Sequence, residues 1–109
     1  MKIVNRGFIL IKPKQSFCDW AKANDEFFDF DEQDDLEGNV YLIEDEFFEY
    51  EPILEANFKK IAQTECLAVV DSEADIPVFT LDKFLEWFQV EIGTNVFDTL
   101  KKPLQTEEL

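Results

Sequence analysis

The chain has 109 residues, 46% of them apolar, and its 25 carboxylates against 10 basic groups leave a net charge of −15. That length predicts a single domain with enough apolar area for a core, and the acidity opposes direct contact with phosphate backbones or anionic membranes. Histidine is absent, which removes the usual base near neutral pH, Ser-His and Cys-His nucleophiles, and His-ligated zinc.

The opening stretch alternates. Val4, Phe8 and Leu10 fall on one side, with Ile3, Ile9 and Ile11 on the other. A run apolar on both faces reads as a strand inside a sheet. Gly7 marks a bulge or a close backbone approach, and Pro13, lacking an amide hydrogen, ends the strand. A helix follows, with Ser16 and Asp19 at capping-box spacing. Phe17, Trp20, Ala21 and Asn24 form its stripe, and Phe27 or Phe28 extends it to about residue 30. Asp31 to Gly38, with five carboxylates and one apolar residue, reads as a solvated loop.

Asn39 to Glu44 is a second short strand, with Val40 and Leu42 on one face and Tyr41 and Ile43 on the other. The pattern then turns helical. Pro52 suits a first turn, and Leu54, Phe58, Ile61 and Ala62 make the buried stripe, leaving Lys59 and Lys60 outward. Leu67 to Val70 fits either a helix end or a short strand. Thr80 is an N-cap with Asp82 in the first turn, ahead of a stripe of Leu81, Phe84, Leu85 and Phe88. Alternation returns from Phe88 to Val96. The elements predict one α+β domain over residues 1–100, with at least three strands and helices on one face. Residues 101–109 read as a frayed tail.

No run approaches the roughly 18 apolar residues of a membrane span. Phe8 to Ile11 is too short for a signal-peptide core. The expectation is a cytoplasmic protein whose two cysteines, Cys18 and Cys66, are free buried thiols rather than a disulfide.

Charge is concentrated in one third of the chain. Between Lys22 and Lys59 stand fourteen Asp and Glu residues and no base; outside that window eleven acidic residues face ten basic ones. The window also holds eight of the sixteen aromatic residues. Asp25-Glu26-Phe27-Phe28-Asp29-Phe30-Asp31 recurs as Asp45-Glu46-Phe47-Phe48-Glu49-Tyr50-Glu51. The plainer account of these copies is that each Phe-Phe pair packs a helix end into the core, with acids outside. The alternative is a partner-binding face on which rings fill pockets and carboxylates steer encounter.

Catalytic motifs are missing. Phosphate-binding glycine loops and the Gly-x-Ser-x-Gly elbow do not occur. The loop from Asp29 resembles a calcium loop only in its acids, since Asp34 stands where glycine makes the turn and Val40 where a bidentate Glu closes the site. No catalytic residue, metal site or cofactor is therefore assigned. The expected function is non-enzymatic: an acidic domain engaging a basic protein through Phe30, Asp31, Glu32, Asp34, Asp35, Glu37 and Tyr50. The alternatives are a nucleic-acid mimic or immunity-type inhibitor of a nucleic-acid-binding protein, and a carboxylate-dependent hydrolase or divalent-metal-binding protein. No direct nucleic-acid contact and no membrane contact are expected.

Like charges at this density repel in the folded state. Added salt should therefore raise the melting temperature at neutral pH. A melting temperature indifferent to ionic strength would mean that the carboxylates are compensated.

Overall fold

A computed structural model describes residues 1–109. It contains strands β1 (Lys2–Val4), β2 (Gly7–Pro13), β3 (Asn39–Ile43), β4 (Phe88–Gly93) and β5 (Val96–Asp98). Helices α1 (Gln15–Asn24), α2 (Tyr50–Leu67) and α3 (Leu81–Trp87) complete the α+β domain. The main sheet is antiparallel in the order β3-β2-β4, and β1 pairs with β5 as a separate ribbon.

The sequence expectation of a central, doubly apolar strand is met by β2. Its register sets Ile9 beside Tyr41 and Ile92, and Ile11 beside Asn39 and Val90. Between the pairs Val4–Val96 and Phe8–Gly93, three residues on one strand oppose two on the other. This bulge separates ribbon from sheet. Gly7 sits there for want of room: a Cβ would lie 2.8 Å from the Glu44 carbonyl and 2.9 Å from that of Gly93. Opposite Phe8, Gly93 leaves space that the phenyl ring occupies, since a Cβ there would meet it at 2.6 Å.

All three helices contribute to a core against one sheet face. Ile9, Ile11, Ile43 and Phe88 point inward from the strands, meeting Phe17 and Ala21 of α1, Ile53, Phe58, Ile61, Ala62 and Cys66 of α2, and Phe84 of α3. Rings link these layers. Phe88 lies 5.2 Å from Phe17 and 5.0 Å from Phe84, which in turn meets Phe58 at 5.9 Å. Tilted and edge-on pairs of this kind add to what burial alone contributes.

Several boundaries differ from the sequence expectation. α1 ends at Asn24 rather than near residue 30, because the Asp25 carboxylate accepts the Phe27 amide at 3.0 Å and turns the chain. The Ser16–Asp19 box does not form. The helix starts two residues earlier, at Gln15, with no side-chain bond from its N-cap Lys14, and the Gln15 backbone amide donates instead to Gln33 Oε1 at 2.8 Å. Phe88 belongs to β4, and Leu85 faces solvent. Trp20 is half-buried at the rim of the core, 5.6 Å from Trp87. The Leu67–Val70 run closes α2 as a turn, with both the Val69 and Val70 amides donating to the Cys66 carbonyl. Thr80 does cap α3, accepting the Lys83 amide at 3.2 Å. Residues 101–109 carry no helix or strand.

Phe58 is buried at the junction of α2 and α3. Phe58→Ala should cost about 3–5 kcal/mol, whereas Trp20→Ala should cost less because part of that indole is already in water. Denaturant titrations of the two variants measure the difference, and equal losses would contradict this packing.

Candidate functional site

The acidic loop after α1 does not hang free. It runs back along the helix and is tied to it mainly by neutral groups, with one Lys22–Asp31 ion pair beside them. Gln15 and Gln33 exchange bonds, each side-chain carbonyl accepting the other's backbone amide at 2.8 and 2.9 Å. The Gln15 amide group also donates to the Asp31 carbonyl at 2.9 Å, and the Cys18 thiol donates to the Phe30 carbonyl at 3.4 Å. Neither glutamine stood out in the sequence, because a long polar residue carries no periodic signal. The loop then makes one 3₁₀ turn over Gln33–Asp35 and enters β3.

The residues expected to bind a partner divide into two places. Phe30, Asp31, Glu32, Asp34, Asp35 and Glu37 share the loop beside α1, all of them exposed. Asp31 forms an ion pair with Lys22, and the Phe30 ring packs edge-on against Phe28 at 5.5 Å. Tyr50 lies elsewhere. It opens α2, after the far end of β3, and packs on Phe47 at 6.0 Å. A five-residue strand, about 17 Å long, separates it from Glu37.

The two copies of the acidic phrase are not equivalent in space. In the first, Phe27 is 81% exposed and Phe28 is half-buried; in the second, Phe47 is half-buried and Phe48 is fully exposed. Each pair thus sends one ring inward and one outward, in opposite order. Phe27 joins Lys22, Asp25, Glu26, Val69, Asp71 and Asp75 around a depression of about 630 Å³. Asp71 and Asp75 come from outside the acidic window, so sequence proximity could not associate them with Phe27.

Ion pairing is sparse. The chain contains two salt bridges, Lys2–Asp98 at 3.6 Å and Lys22–Asp31. Asp31 is thus the one member of the fourteen-residue acidic group with a cationic partner in contact. No three Cys, Asp or Glu side chains gather into a metal-binding group.

One carboxylate departs from this pattern. Glu65, on α2, is only 5% exposed, and its Oε2 accepts bonds from the Tyr41 hydroxyl and from Asn39 Nδ2 at 2.8 Å. These bonds fasten β3 to α2. Glu65 sits four residues after Ile61 and seven after Phe58, so its place on the buried stripe was readable from spacing. Its charge and its bond, together with burial, act on neighbouring groups. Burial first, then the Glu65 carboxylate, pushes the Cys66 thiol up to about 12, and burial with the Glu65 bond raises the Tyr41 phenol as well. Burial also raises the Cys18 thiol, with Asp19 adding to it. Both cysteines are free and buried.

Comparison with protein-family models, with curated proteins and with solved structures finds no match to this chain.

A group whose pKa is raised on folding stabilises the fold fully below its unfolded value, and that stability is lost as pH climbs towards the folded value. For Cys66 this window opens near its ordinary value of 9.0 and extends to about 12, with Tyr41 adding its share above 10.0. Unfolding free energy from denaturant titrations should therefore decline progressively once pH exceeds about 9. The decline should be shallower in Glu65→Gln. Equal slopes in the two proteins would show that Glu65 does not act on its neighbours.

Proposed function

We propose that this protein is a non-catalytic binding domain that recruits a basic protein partner through its acidic, aromatic-bearing surface. The observation that carries this reading is the missing compensation: among fourteen carboxylates between Lys22 and Lys59, Asp31 alone is ion-paired. Exposed, unpaired charge does little for stability but sets up a field that orients and accelerates an oppositely charged molecule. The loop from Phe30 to Glu37 is held against α1 by Gln15, Gln33 and Cys18, so less ordering remains to be done on association. The exposed rings of Phe27, Phe30 and Phe48 offer apolar anchors within that field. The reading places the domain in the cytosol, a setting that suits its two unpaired thiols. Where the partner is itself a nucleic-acid-binding protein, duplex DNA should compete for the same surface.

The test uses one variant in which Asp31, Glu32, Asp34, Asp35 and Glu37 become their amides. Partners captured from native lysate at low salt and released at high salt supply the binding assay. The variant should keep its fold, associate more slowly and lose much of its salt dependence. An unchanged association rate and salt slope would refute the reading. Loss of a turnover activity at unchanged partner affinity would move the carboxylates into chemistry instead.

A further inference from the structure

The main sheet has two free edges, and they are built differently. On β4, Gln89 and Glu91 project to solvent, and charge on an edge strand deters pairing with another chain. β3 has no charged residue along its length, Asn39–Ile43. It pairs with β2 alone, and no hydrogen bond outside that pairing uses its backbone. Its outward side chains are apolar, with Val40 60% and Leu42 52% exposed. They continue a strip formed by their β2 partners, Leu10 beside Val40 and Phe8 beside Leu42. Between the edge and α2 runs a groove of about 240 Å³, lined by Tyr41, Leu42, Ile61 and Thr64, with Lys60 and Leu109 at its border. An uncharged, apolar edge with an adjoining groove is the geometry by which a sheet accepts an added strand.

Charge selects the occupant. Asp34, Asp35 and Glu37 precede β3, while Glu44, Asp45 and Glu46 follow it. Two copies paired antiparallel through this edge would set the first trio of each against the second trio of the other. Like charges at both ends exclude self-pairing and favour the opposite sign. We propose that β3 is a docking edge for an extended segment of a basic protein, with apolar residues at alternate positions and Lys or Arg at both ends. Glu37 and Glu44, the facing ends of the two acidic trios, are seven residues apart, about 23 Å of extended chain, so the flanking bases stand about seven residues apart. This inference deepens the reading of an acidic recruitment surface and rests on it. The carboxylates attract and align the partner, and backbone hydrogen bonds to β3 then hold it.

The probe is a synthetic peptide with two basic residues at each end of an alternating Val-Thr core, compared with the same peptide N-methylated at alternate amides. Binding is measured by calorimetry and by hydrogen exchange of the full chain. The unmodified peptide should bind and slow exchange at β3, while the N-methylated one should lose that protection. Val40→Glu and Leu42→Glu add negative charge to the edge and remove apolar area. Charge attraction alone predicts tighter binding to these variants; strand addition predicts binding weaker by about tenfold each. Tighter or unchanged binding, or protection spread over the acidic loop and absent from β3, would overturn the edge while leaving the acidic surface standing. Binding insensitive both to these variants and to the five-amide variant would overturn the two readings together.

Discussion

The sheet is covered on one face only, and most of the molecule follows from that. With all three helices on a single side, the residues that can leave water are those aimed at Ile9, Ile11, Ile43 and Phe88. Five phenylalanines and five isoleucines supply most of this layer, the rings contributing large buried area per residue. A buried carboxylate there needs hydrogen bonds, and Glu65 Oε2 receives two, from Tyr41 and Asn39. Asp98, its side chain 9% exposed, is paired with Lys2, and nearly all the remaining acids lie at the surface. The acidic exterior is thus partly a consequence of a thin core in a highly charged chain.

The proposed recruitment of a partner requires that this surface hold a shape. Repulsion among neighbouring carboxylates would expand an untethered loop. The Gln15–Gln33 exchange and the Cys18 bond to Phe30 hold it without adding positive charge. A lysine in place of either glutamine could not accept the facing backbone amide, because an ammonium has only donors, and would also weaken the field. Neutral tethers keep both the geometry and the charge, and the fold gains a preorganised anionic ridge beside α1.

The Glu65 cluster has a related role at the other border of the acidic loop. By binding Asn39 and Tyr41 it fixes the inward side of β3 to α2, which leaves Val40 and Leu42 turned away from the core. The uncovered sheet face and the acidic segments before and after β3 therefore meet along one strand. Uncompensated acidic charge and exposed apolar area lie side by side there, a combination that an isolated acidic patch or an isolated apolar patch would lack.

The α+β class, the strands at β2, β3 and β4, the Thr80 cap and most of the buried stripe of α2 were legible in the residues, because alternation and 3.6-residue spacing are local signals. Glycine at position 7 was legible as a constraint for the same reason: only a missing side chain explains glycine within an apolar strand. Helix ends were less so. The end of α1 depends on one Asp25 side-chain bond competing with continued helix, a balance that periodicity does not register. What the sequence by itself determined was which residues are apolar, which carry charge, and where the charge is uncompensated. The tertiary structure alone decided which rings of the repeated acidic phrase turn inward, that Tyr50 lies a strand's length from the acidic loop, and that Asp71 and Asp75 join Phe27. It also decided that one edge of the sheet stays apolar and open. These are relations between residues distant in the chain, and they arise only when the strands choose their neighbours and the helices choose a face.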